Sequence, residues 1–324
     1  MPGAPSFEKI AVTGGSGFLG QHLVRALVEM GAHPTVLTRT LDGDVAPDGL
    51  KERVRRVQLD LLDREAVRQF LLAEQPTALF HLAGARRCVD DVSASLTCAD
   101  LNVSATLHLL DTARRAGVER VIIMGSADEY GDQPGPLHEG LPLRPVSAYA
   151  VSKAAATRFA QLMHASEGCP VVVLRPFSVY GPHQPAFMFI AEAIKCAVEG
   201  LPFRMSEGTQ RRDLVFVEDV VGALLAVARA PLVEGRVINI GSGQPRRLRD
   251  VATLIWQLSE SHAPLLIGAR PATVDETHDT WADIHLAREV LGWEPQVDLE
   301  SGLRATIQWA REQFGQRNPA YVRT

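Results

Sequence analysis

Ile10-Ala11-Val12-Thr13-Gly14-Gly15-Ser16-Gly17-Phe18-Leu19-Gly20 holds, in one stretch, a short apolar run, a glycine-rich turn and the opening of a helical pattern. The spacing satisfies both GxxGxxG and GxGxxG. In such a loop one glycine lets the chain turn tightly off the strand, one lets backbone approach a pyrophosphate, and one lets the helix pack close to the sheet. The first turn of the helix then offers free N–H groups and a positive dipole to phosphates. A glycine pattern alone is weak. Following a strand and opening a helix, Gly14, Gly17 and Gly20, with Phe18 and Leu19, become candidate dinucleotide contacts.

The same alternation continues downstream. Strand-like runs cover 35–37, 54–59, 78–80, 121–123 and 171–174, and helix-like runs cover 18–30, 63–73, 101–116 and 147–167. This predicts an α/β chain with a Rossmann-type, doubly wound parallel sheet. After Pro176 the rhythm breaks into shorter pieces, which predicts a smaller C-terminal α/β substrate lobe. The expected division is a dinucleotide-binding domain over 1–176, with returns from about 215–245, and a lobe made mainly of 177–324.

The composition is that of a globular protein, 46% hydrophobic and 22% charged, and the formal charge of −5 gives no electrostatic case for nucleic acid or an anionic membrane. No apolar stretch approaches the roughly 20 residues needed to span a bilayer, and the N-terminal residues lack a signal core. A cytoplasmic protein with no membrane partner is expected. Cys88, Cys98, Cys169 and Cys196 show no CxxC spacing, which predicts reduced thiols and no metal site.

The second strand ends Val36-Leu37-Thr38-Arg39-Thr40, with no acid to bond both ribose hydroxyls. A guanidinium suits a 2′-phosphate, so Arg39 favours NADP(H), with NAD possible if Arg39 is only a surface charge. Asp60, followed by Leu61, either accepts from the adenine amino group or caps a turn.

Tyr149 and Lys153 are spaced i, i+4 and share a helix face. A free tyrosine titrates near pH 10. An adjacent ammonium, with the positive charge of an oxidised nicotinamide, favours the phenolate. Tyr149 is then fitted to accept a proton as hydride leaves an alcohol carbon, or to donate one as hydride arrives. Ser126 follows the strand 121–124, at the strand ends where such sheets bind ligands, and its hydroxyl is placed to bond the same oxygen.

With these motifs in hand, the chain resembles the extended short-chain dehydrogenase/reductases, in the branch of nucleotide-sugar epimerases, dehydratases and reductases. The resemblance runs through Thr13 to Gly20, His81-Leu82-Ala83-Gly84, Leu101-Asn102-Val103, Ser126 to Gly131, Tyr149 to Lys153, Leu174 to Pro182, Gln210 to Asp213, Asn239 to Gly243 and Leu291-Gly292-Trp293. It implies a nucleotide-diphosphate sugar as substrate, catalytic roles for Ser126, Tyr149 and Lys153, cofactor contacts at Leu82 and Ala83, diphosphate contacts at Arg212 and Arg270, and a homodimer paired through the 101–116 and 147–167 helices.

Three departures matter. Ser178 stands where the family usually has Asn, the ribose acid is missing, and Ser126 is followed by Ala127 and Asp128. Asp128 is either a catalytic acid/base or a loop cap. The loop looks most like that of GDP-4-keto-6-deoxymannose reductases. The reading drawn is therefore reduction of a nucleotide-linked 4-keto-6-deoxyhexose at C4 by NADPH. The alternative is a redox-neutral 4-epimerase or 4,6-dehydratase with tightly bound NAD. A cofactor-binding scaffold without catalysis is the third reading, disfavoured because Ser126, Tyr149 and Lys153 are all present.

Overall fold

A computed structural model describes residues 9–41, 51–85, 92–271 and 279–314. Seven parallel strands form the main sheet: β1 (Ile10–Thr13), β2 (Thr35–Thr38), β3 (Arg55–Gln58), β4 (Ala78–His81), β5 (Arg120–Met124), β6 (Val171–Pro176) and, much later, β10 (Val237–Ile240). Their order is β10-β6-β5-β4-β1-β2-β3. The order reverses between β1 and β4, which is where an open parallel sheet leaves a crevice at its carboxyl ends.

Both faces of this sheet are buried, and the strand period of two divides the core. Ile10, Val12, Ala78, Phe80, Ile122, Val172 and Leu174 face a layer that includes α1 (Phe18–Glu29) and α7 (Val217–Arg229). Ala11, Leu79, Val121, Ile123, Val171 and Val173 face the opposite layer, with α2 (Arg64–Glu74), α4 (Ala105–Arg115) and α5 (Ala148–Glu167). Adjacent apolar residues can all be buried because alternate side chains point to opposite, equally covered faces.

The chain leaves the sheet after β6, builds most of a second core, and returns through α7 and β10, which pairs with β6. The second core packs α6 (Phe189–Glu199), α8 (Leu248–Ser259) and α10 (Leu299–Phe314) against β7 (Ser178–Tyr180), β8 (Phe203–Arg204) and β9 (Arg211–Phe216). The strand β9 also pairs with β11 (Pro245–Arg247) and β13 (Asp279–Thr280), and β8 pairs with β12 (Leu265–Leu266). A short helix, α9 (His285–Leu291), goes back to the first core, to which Ala287 contributes.

Two expectations need correction. The helix expected from 101 starts further upstream: α3 (Val92–Cys98) runs into a π-helical turn, Ala99–Ser104, and then α4. Polar and small residues through 93–100 hide the helical period there. Cys98 is disulfide-bonded, whereas Cys169 and Cys196 are free. Linear spacing cannot reveal such a bond, because Cα separation in the fold decides it. Among the described residues no helix is long and apolar enough to cross a membrane, and no His, Cys, Asp or Glu group could hold a metal ion.

Candidate active site

A cleft of about 520 Å³ opens at the carboxyl ends of β1 to β4. Gly14, Gly17, Arg39, Asp60, Leu61, Leu82 and Ala83 all line it. Gly14 has φ +70°, and a Cβ there would lie 2.6 Å from the Ala83 amide nitrogen. Glycine thus lets two backbone segments meet at the floor of the cleft. Gly17 caps α1 without a side-chain bond, and the first turn carries no acid, so its N–H groups and positive end are left for an anion. These features fit a dinucleotide.

Phe18, Leu19 and Gly20 do not line this cleft. Phe18 meets His22 edge-on with ring centroids 5.9 Å apart, and Leu19 packs into both cores. A Cβ on Gly20 would collide with the Gly14 carbonyl and lie 2.7 Å from Gly15 Cα, so Gly20 lets α1 approach the loop. Arg39 is exposed at the rim. Asp60 Oδ1 accepts from the Leu62 amide at 3.0 Å, so it caps its own turn while lining the cleft. The cap of α2 is Asp63, which accepts from the Ala66 amide.

A second cleft brings together Ser126, Asp128, Tyr149, Ser178, Arg212 and Thr280. Ser126 ends the loop after β5. Its Oγ accepts from the Asp128 amide at 3.2 Å, and the Glu129 carboxylate accepts from the Ser126 amide at 2.8 Å, a reciprocal cap of the turn Ala127–Tyr130. Tyr149 lies in the first turn of α5, capped by Ser147, whose Oγ accepts from the Ala150 amide. Lys153 Nζ donates to the Met124 carbonyl at 2.8 Å and lies 6.0 Å from the centroid of the Tyr149 ring. Asp128 is exposed, and Ser178 is exposed on β7.

Several residues to which the sequence analysis gave no role of their own hold this arrangement. Asn102, in the π-helical turn, donates to Ser152 Oγ at 2.9 Å and exchanges two bonds with the Ala85 backbone. A π turn is a recurrent mark of a functional site, but it has no sequence signature. His81 is buried, bonded to Thr13 Oγ1 at 2.7 Å and Thr106 Oγ1 at 2.9 Å. Burial, and then the positive charge of Lys153, push its pKa down to about 3, so it is a neutral cross-link.

Three consecutive residues of β9 have different surroundings. Arg211 pairs outward with Asp279 at 2.7 Å, Arg212 reaches the Ser126 cleft, and Asp213 is buried. Asp213 accepts from the Ser242, Gly243 and Ala282 amides, tying the turn after β10 and the segment after β13 to β9. Arg270 is exposed and lines a different cleft, of about 570 Å³, with Phe187, Phe203, Arg204 and Gln210. Gln210, on this cleft, is two residues before Arg212, on the Ser126 cleft. Residues 86–91 lie outside the described residues.

Fold and site together define a class, and residues 10–241 match the model of the NAD dependent epimerase/dehydratase family. The chain belongs to that family, an extended short-chain dehydrogenase/reductase type that acts on nucleotide sugars. It is similar to the UDP-glucose 4-epimerase of Mycolicibacterium smegmatis, 32% identical over 93% of this chain and 97% of that one. The dTDP-glucose 4,6-dehydratase of Haemophilus influenzae is 29% identical over 93% and 97%. Among solved structures, MoeE5 in complex with UDP-glucuronic acid and NAD superposes with a TM-score of 0.85 at 31% identity, covering 94% of this chain and 99% of that one.

These findings correct the reductase reading, which they do not support, and favour the redox-neutral alternative. Nor do they support the preference for NADP: the family is NAD-dependent, and MoeE5 is in complex with NAD. One exposed guanidinium at the rim of a cleft fits a solvated surface charge as well as a 2′-phosphate partner.

Proposed function

We propose that this chain is a 4-epimerase of nucleoside-diphosphate hexoses that retains NAD, with a uridine diphosphate hexose as substrate. One observation carries this reading. Asp128 is the single carboxylate among the residues lining the Ser126 cleft, while Glu129 turns away into a buried pair with Arg175. Inversion at C4 through a ketone needs one acid/base group and room for the ketone to present its other face. Loss of water across C5 and C6 needs a further base and acid, and Ala127 follows Ser126 directly.

In this mechanism the dinucleotide, bound in the cleft of β1 to β4, would supply the hydride acceptor and then the donor. Tyr149 takes the proton from the C4 hydroxyl and returns it after inversion. Lys153 holds positive charge beside Tyr149, and Ser126 Oγ bonds the C4 oxygen and orients it. Arg212, in the Ser126 cleft, and Arg270, in the cleft with Phe187 and Gln210, would take the diphosphate as fork-shaped donors. Phe187, half exposed on the cleft that Arg270 lines, would offer apolar surface to the base. Thr280 and Ser178 are further polar contacts for the sugar. We also infer a homodimer. Val151, Phe159 and Leu162 form an exposed apolar stripe on α5, beside exposed Val92 and Leu96 on α3, and a second copy would cover both.

The experiment is to denature the purified protein, identify the released nucleotide by mass spectrometry, and then supply UDP-glucose and UDP-galactose separately. Stoichiometric NAD and interconversion of the two sugars are expected. Accumulation of a 4-keto-6-deoxy sugar that Asp128→Asn abolishes would replace the epimerase by the dehydratase. An empty site that turns over only with added NADPH would restore the reductase.

A further inference from the structure

Glu129 is fully buried and makes an ion pair with Arg175, also buried, at 2.7 Å. Its two oxygens serve three partners. Oε2 accepts from Arg175 Nη2, and Oε1 accepts from the Ser126 amide at 2.8 Å and from Thr157 Oγ1 at 3.1 Å. Thr157 stands one turn beyond Lys153 and two beyond Tyr149, at i, i+4 and i+8 on one face of α5. A single carboxylate therefore joins the loop that presents Ser126 to the helix that presents Tyr149 and Lys153.

The surroundings hold that carboxylate still. Arg175 lies over the Tyr130 ring, 4.5 Å from its centroid, and the Tyr130 hydroxyl donates to Asn239 Oδ1 on β10. A Cβ at Gly125 would come within 2.5 Å of Glu129 Oε1, so glycine makes room for it. A buried ion pair costs desolvation of two charges, and well-packed apolar residues often serve stability equally well. Its distinctive product is fixed geometry.

We propose that Glu129 is a positioning residue: through Ser126 and Thr157 it sets the distance and orientation between Ser126 and the Tyr149–Lys153 pair. The readout in turnover rests on the proposed epimerase activity, so the test carries a second readout that does not. Thr157→Val removes only the link to α5. Glu129→Gln paired with Arg175→Met removes the carboxylate without stranding a buried guanidinium. Each variant, with its retained NAD, is compared with the wild type by hydrogen exchange over residues 125–131 and by kcat and KM for UDP-glucose.

Faster exchange at 125–131, with kcat about tenfold or more lower and KM and NAD content within about twofold, is expected. Unchanged exchange at 125–131 in both variants would overturn the proposal whatever the activity, and so would wild-type kcat in the double variant. Should the wild type itself fail to turn over UDP-glucose, the function reading falls, while the exchange data still decide the link.

Discussion

Lys153 Nζ donates to the carbonyl oxygen of Met124, so the ammonium of α5 is anchored to the last residue of β5, two positions before Ser126. The bond uses one of three ammonium donors and leaves the group 6.0 Å from the centre of the Tyr149 ring. Its position is fixed by the sheet rather than by the long lysine side chain alone.

Lys153→Met should therefore lower kcat by about 10²-fold or more and move the pH–rate profile upward, because the phenolate loses its neighbouring positive charge. Tyr149→Phe should cost about 10²- to 10⁴-fold with NAD still bound. Steady-state rates across pH, alongside released NAD, check both. A wild-type profile in Lys153→Met would remove the lysine from the chemistry.

Gly20→Ala should destabilise by about 1–3 kcal/mol, because the added methyl collides with the Gly14 carbonyl. As the loop shifts, NAD content after purification should drop. Urea midpoints and nucleotide analysis measure the two effects. Undiminished NAD with a lower midpoint would separate packing from cofactor binding.

His81 has a pKa of about 3 in the fold against 6.5 unfolded. The unfolded chain binds the proton first, so the contribution of His81 is complete above about pH 6.5 and is lost as pH falls toward 3. His81→Gln should flatten the fall of the denaturation midpoint over that window relative to the wild type. Parallel curves would show that His81 is already charged or already exposed.

Arg212→Met should raise KM for UDP-glucose about tenfold or more, the scale of a lost charge-assisted bond, with retained NAD unaltered. Inhibition by uridine diphosphate should weaken in parallel. An unchanged inhibition constant would take the diphosphate away from Arg212.

The features legible in the sequence are local ones. Gly14 to Gly20 spells a strand, a turn and a helix within one loop, and Tyr149 with Lys153 needs only the pitch of a helix. Ser126 followed from the end of a strand. What stayed hidden is long-range. Glu129 reads as a third polar residue in a loop, and only the fold shows its carboxylate meeting Arg175 and Thr157. Asn102 and His81 act through partners far along the chain. Arg39 is ambiguous in the sequence because one charge at a rim does not report what lies opposite. The cleft with Phe187, Phe203 and Arg204 draws on separate segments of the second lobe, none with a period or motif of its own.

The strand β10 joins β6 only after the chain has passed through β7, α6, β8, β9 and α7. During synthesis from the N-terminus, the edge of β6 therefore stays unpaired until residues 237–240 have left the ribosome. Tyr130, whose hydroxyl bonds Asn239 on that strand, waits for the same event. A nascent chain stalled before β10 has its glycine loop, Ser126, Tyr149 and Lys153 in place in sequence yet presents an open strand edge, a known route to aggregation. Completion of the sheet thus comes late in translation.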